Sequence, residues 1–151
     1  MSEFRRAGPG DIPQLLDLQE RFYAAEGYPH ERAEKERAMR QLAGDPALGR
    51  LFGIADGAEI HGYLVVTFGF SLEFGGRDAF VDELYVDEPA RGQGLGTAAL
   101  QVAEEACLEA GIAALHLEVE HTNLRARALY ERSGYYAHER HLMTKLLGAK
   151  H

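Results

Sequence analysis

Apolar residues recur along this chain in two rhythms, and the switches between them mark out its elements. Residues 2–7 read as a short strand. Ile12, Leu15, Leu16, Leu18 and Phe22 then return at helical spacing behind Asp11 as N-cap, with Pro13 in the first turn, which predicts an amphipathic helix ending before Gly27. Gly27-Tyr28-Pro29-His30 cannot continue that helix and reads as a loop, and residues 31–43 suggest a second, more polar helix. Residues 51–55 and 59–68 are strand-like and flank Asp56-Gly57, a strong two-residue hairpin signal.

A glycine-rich connection over residues 69–76 leads into a further strand at 79–86. Leu95, Ala99, Val102, Ala103 and Ala106 mark a helical face that stops at Gly111. Residues 114–119 read as a strand, Asn123 as the N-cap of a helix that runs to Gly134, and residues 138–146 as the last strand. The order is strand, two helices, three strands, helix, strand, helix, strand. It predicts an α/β fold, a mixed central sheet with helices on both faces, in a single domain over residues 1–151.

Composition narrows the function classes. A chain of 151 residues buries a core without disulfides or structural metal. Its single cysteine, Cys107, lies in an apolar helical pattern and reads as buried packing, so a reducing compartment is the natural setting. The amino terminus carries no apolar signal-type region and no run approaches the ~20 apolar residues of a membrane span, which makes a soluble, cytoplasmic protein the expectation. A formal charge of −8 argues against nucleic acid and slightly favours a cationic partner.

Between the strand at 79–86 and the helix that follows lies Arg91-Gly92-Gln93-Gly94-Leu95-Gly96. Three glycines let backbone N–H groups turn towards an anion, and the helix adds its positive N-terminal dipole, so the segment is built as a phosphate cradle. A Walker loop needs a different glycine spacing followed by Gly-Lys and Ser or Thr, and is excluded. A dinucleotide fingerprint fits poorly, because Thr97 stands where its third glycine belongs and Asp87 to Arg91 separate the strand from the first glycine.

The run matches Arg-x-x-Gly-x-Gly and resembles the coenzyme A pyrophosphate loop of the GNAT superfamily of acyl-CoA-dependent N-acetyltransferases. Upstream, Asp82-Glu83-Leu84-Tyr85-Val86-Asp87-Glu88-Pro89 is similar to that family's central strand and exit turn; downstream, Asn123 to Tyr130 with Gly134-Tyr135 is similar to its Asn-x-x-Ala-x-x-Leu-Tyr-x-x-x-Gly-aromatic block. Strong matches cover roughly residues 78–146, and the first half shares only the order of elements.

The resemblance implies acetyl-CoA as co-substrate. It places the pyrophosphate on the amides of Gln93, Gly94, Leu95, Gly96 and Thr97, with Gly92 in the turn and Arg91 adding charge. The pantetheine arm would lie beside Leu84, Tyr85 and Val86, with Asn123 in contact as well; a plain N-cap role accounts for Asn123 equally and is compatible with that contact. Tyr130 is implied as general acid to the leaving sulfur.

A base is also needed, and Asp82 and Glu83 are neighbours whose side chains alternation sends to opposite faces. Register with related enzymes puts positions 80, 82 and 84 on the substrate side, so Asp82 is the first choice and Glu83 the second; a bulge would reverse that parity. The acceptor wall is expected to draw on Tyr28, His30, Phe70, Ser71 and Glu73, with Glu73, Asp78 and Asp82 attracting the cation of a small-molecule or peptide primary amine. His116, Glu118 and Glu120 alternate along one strand and His121 follows, a set that could ligate a divalent metal but reads better as a pocket-lining or solvated face, so no metal is expected. The leading expectation is therefore an N-acetyltransferase working by direct attack in a ternary complex. The alternatives are a non-catalytic acyl-CoA-binding or sensing module on the same fold and, more distantly, a nicotinamide-binding domain. Nothing in the sequence chooses between a monomer and a homodimer.

Overall fold

The computed structural model describes residues 2–148; the outermost positions of the expected domain, 1 and 149–151, lie outside the described residues. The strands are β1 (Glu3–Arg6), β2 (Gly49–Asp56), β3 (Glu59–Ser71), β4 (Gly76–Val86) and β5 (Ala114–His116). The helices are α1 (Ile12–Glu26), α2 (Arg32–Gly44), α3 (Leu95–Glu109) and α4 (Leu124–Arg132). Strand order follows chain order, β1-β2-β3-β4-β5; the neighbours are antiparallel except β4 and β5, which run parallel.

Two apolar layers cover the sheet, one on each face, as the helical patterns require. Ile12, Leu15, Leu16 and Leu18 of α1 and Met39 of α2 pack on Leu51, Tyr63, Val65 and Tyr85. Ala99, Ala103 and Cys107 of α3 pack on Leu64, Val66 and Ala79 on the other face. Cys107 is buried there and burial raises its thiol pKa, consistent with a packing role.

Two expectations are corrected. Residues 138–146 form no strand: they are exposed and carry no regular structure. Leu142 and Met143 are adjacent, so the segment presents no alternating apolar face for a sheet to bury. This segment is instead tied to the β3–β4 turn by the bidentate pair of Arg140 with Glu73, at 3.0 and 3.1 Å. The strand expected over 114–119 ends early, at His116, so β4 and β5 pair only through Asp78–Ala114, Ala79–Leu115 and Phe80–His116. Beyond Phe80, β4 continues to Val86 with no strand beside it on that side. The two strands thus open into a fork, and this fork positions the site.

Candidate active site

The glycine run closes the fork at its far end. Gly92 and Gly94 hold φ of 83° and 74°, left-handed values that a side chain resists. Gly94 is the N-cap of α3 and no side chain caps that end. The first intrahelical bond runs from the Ala98 N–H to the Gly94 carbonyl at 3.1 Å, so the amides of Leu95, Gly96 and Thr97 precede it and lack helical acceptors. A shallow cleft of about 210 Å³ lies over them, between Val86, Arg91 and Leu129 of α4. Arg91 stands above the Tyr85 ring at 5.6 Å and donates through Nε to the Val86 carbonyl at 2.8 Å, which ties the cradle to the end of β4. Such a row of free amides with a fixed guanidinium suits a phosphate ester.

Tyr130, one residue past Leu129, is partly buried, and burial raises its phenol pKa, so it keeps its proton at neutral pH. Asn123 caps α4 by accepting from the Ala126 N–H at 3.1 Å, the plain N-cap that its position allows.

The facing expectation for β4 is overturned by a bulge. Val65 pairs with Glu83 and Val66 with Val81, which leaves Asp82 as the extra residue. Val81 and Leu84 both pack towards α3, while Glu83 and Tyr85 meet α1. Positions 80, 82 and 84 therefore do not share a face. Asp82 is exposed on the bulge, and partial desolvation followed by the charges of Glu83 and Glu118 raises its carboxyl pKa. Asp82 lies on the stretch of β4 that runs on past its pairing with β5.

Glu83 is enclosed differently. Its carboxylate accepts from Tyr23 at 2.5 Å, Tyr63 at 2.6 Å and Gln19 Nε2 at 3.1 Å. With three donors held on its roughly four acceptor sites, it is tied down as an anchor. Burial, then Glu83, pushes both tyrosine hydroxyls well above their ordinary range, so they remain donors through neutral pH. The sequence reading missed Gln19, Tyr23 and Tyr63. One signal was present: Gln19 falls on the buried stripe of α1, where a polar residue needs partners.

The proposed acceptor residues scatter. His30 is sequestered, its side chain only 9% exposed, with Nε2 bonded to Gln19 Oε1 at 3.0 Å and its ring edge-on to Tyr23. Tyr28 is half-exposed against the same Tyr23 ring. Phe70, Ser71 and Glu73 lie at the closed end of the β3–β4 hairpin, where Phe70 pairs with Arg77 and Ser71 with Gly76, and Glu73 is neutralised by Arg140. His116 binds Asp78 at 3.1 Å, and among the described residues no group of three or more metal-type side chains converges. No helix there is long and apolar enough to cross a membrane.

Comparison with known proteins agrees with this geometry. The model of the Acetyltransferase (GNAT) family matches residues 12–135. Thialysine N-epsilon-acetyltransferase of Bos taurus is 33% identical over 82 residues, 54% of this chain and 48% of that protein. Mycothiol acetyltransferase of Jonesia denitrificans is 44% identical over 63 residues, 40% of this chain and 20% of that protein. The chain thus spans less than half the length of these curated relatives. The crystal structure of an integron cassette protein from the mobile metagenome of Cole Harbour Salt Marsh superposes with a TM-score of 0.84 at 39% identity, over 97% of this chain and 91% of that one.

Proposed function

Because the chain belongs to the acetyltransferase (GNAT) family over residues 12–135, we propose that it transfers an acetyl group from acetyl-CoA to a primary amine, small molecule or peptide, by direct attack in a ternary complex. The observation that carries this reading is one fork in the sheet that has uncapped amides at its far end and an exposed carboxylate, Asp82, on its side. The bovine relative's name puts the acetyl group on an amine nitrogen, which supports an amine acceptor. The single, buried cysteine supports a reducing, cytoplasmic setting.

The cradle fits acetyl-CoA, which when bound supplies an acyl group already activated as a thioester. Gln93, Gly94, Leu95, Gly96 and Thr97 would hold the pyrophosphate through their amides, with Gly92 in the turn and Arg91 beside it. The unpaired edge of β4 at Leu84, Tyr85 and Val86 would hold the pantetheine arm, with Asn123 near it. Asp82 receives a proton from the incoming ammonium, and its raised pKa brings its basicity closer to that task. Tyr130 holds the proton that the departing thiolate needs.

Tyr130→Phe keeps the ring and removes that proton. We expect kcat to fall ~10²-fold while acetyl-CoA affinity stays within about twofold, measured by thiol release and by titration. Wild-type turnover in this variant would return Tyr130 to the core.

Asp82→Asn separates rate from stability. A folded-state pKa raised above the unfolded value means that the ionised carboxylate costs stability, a cost that appears as pH rises through the folded pKa. The variant is therefore expected to melt higher than wild type at pH 7. Its rate should fall most at neutral and lower pH, where the acceptor is ammonium, and recover towards pH ~10, where free amine forms without help. A rate deficit equal at every pH would remove Asp82 as base.

The overall test is a panel of primary amines with acetyl-CoA, read by free thiol. Saturable release supports the transferase reading. Tight acetyl-CoA binding with no release for any amine would leave a non-catalytic acyl-CoA-binding module.

A further inference from the structure

Asp78 and His116 form a pair that neither the cradle nor the proton-handling groups use. Asp78 is buried, 9% exposed, and its Oδ2 accepts from His116 Nε2 at 3.1 Å. Gly69, its partner across β3 and β4, makes room for it: a Cβ there would stand 2.9 Å from Asp78 Oδ1. Phe74 and Phe80 flank the imidazole, each with its centroid 5.0 Å away. Where Nε2–H donates to the Asp78 carboxylate in the single-proton tautomer, Nδ1 presents a bare lone pair. Nδ1 has no hydrogen-bond partner among the described residues and is not sealed from solvent. His116 is the last residue of β5, opposite Phe80 at the point where the fork opens.

We propose that His116, held in the Nε2–H tautomer by Asp78, is the second hydrogen-bond acceptor for the attacking nitrogen and makes the protein selective for primary over secondary amines. The proposal rests on the N-acetyltransferase reading. A neutral primary amine attacks through one lone pair and carries two N–H groups; aiming that lone pair requires an acceptor for each. Asp82 faces one and His116 Nδ1 the other. Asp82, which is exposed, passes the ammonium proton on to solvent before attack. The nitrogen lone pair then forms the C–N bond, the C–S electron pair leaves on sulfur, the Tyr130 proton goes to that sulfur and one N–H proton goes to the carboxylate of Asp82. The remaining N–H stays on the amide, bonded to His116. A secondary amine has a single N–H, so it leaves Nδ1 unmatched and presses its extra substituent on the phenyl walls. A site built to bond an N–H rejects an analogue that lacks it.

Two measurements test this. Long-range 1H–15N NMR of the protein alone should find His116 protonated on Nε2 and bare on Nδ1, with that preference relaxed in Asp78→Ala; an Nδ1–H tautomer in the wild type overturns the proposal. Rates with 1-aminopentane and N-methyl-1-aminopentane should differ ~10²-fold in the wild type. His116→Phe should collapse that ratio by slowing the primary amine at unchanged acetyl-CoA affinity, and His116→Asn, whose amide oxygen can stand near Nδ1, should restore part of it. An active wild type whose ratio is unmoved by His116→Phe overturns the proposal alone. A wild type that releases no thiol with either amine or with any member of the panel overturns the transferase reading, and the proposal with it.

Discussion

Gly94→Glu should abolish acetyl-CoA binding. Gly94 opens α3 at φ 74°, so any side chain there is strained by ~1–2 kcal/mol before a ligand is considered. A glutamate adds negative charge at the uncapped amides, where the phosphates would have to sit. In the wild type, acetyl-CoA at ~100 times its Kd stabilises the native state by ~2.7 kcal/mol, a rise of ~5–10 °C in Tm for a chain of this size. We expect no rise at all in Gly94→Glu and a reduced one in Gly94→Ala, which separates backbone strain from charge. Differential scanning fluorimetry with and without acetyl-CoA reads both. An undiminished shift in the glutamate variant would move the coenzyme site away from this loop.

The largest loss of stability is expected from Glu83→Leu. The change strands the hydroxyls of Tyr23 and Tyr63, the latter fully buried, and leaves the Gln19 amide only its longer bond to the Tyr23 oxygen at 3.3 Å. Leaving such donors without an acceptor costs ~3–5 kcal/mol in sum, or a drop in Tm of roughly 10 °C. Glu83→Gln keeps one acceptor oxygen but points a donor at donors, and should cost about half as much. Thermal melts of both variants decide this. A Glu83→Leu protein as stable as wild type would show that the tyrosines find water instead, and would reopen Glu83 as a free base.

Most of the fold was legible because its signals are local. The α1 stripe, the hairpin turn, which falls on Gly57-Ala58 one residue on from the expected Asp56-Gly57, and the glycine stop of α3 each depend on residues a few positions apart. The cradle was legible for the same reason, since its function rests on backbone conformations that only glycine adopts readily. What escaped depends on partners distant in sequence. Asp82 and Glu83 were ranked by register alone, and nothing local shows whether that register holds. Their roles divide because β3 imposes a bulge and because Gln19, Tyr23 and Tyr63 converge on one of the two. His116 likewise read only as part of a pocket-lining or solvated face, and its partner Asp78 lies on another strand. The last strand failed from a different cause: residues 138–146 lack the alternation that would give a sheet one apolar face to bury.

The sheet separates two apolar layers, one built by α1 and α2 and the other by α3. In engineering terms it is a partition wall. Residues 12–44 could be replaced by the corresponding segment of a relative to change which acceptor is admitted, while the loop that would grip the donor keeps its own foundation on the far side. Distant, unlinked changes combine additively, so the two halves could be optimised in separate libraries. The α1 helix is also tied to Glu83 of β4 and to Asp87 just past it, and a graft must therefore carry its own glutamine at 19, arginine at 21 and tyrosine at 23.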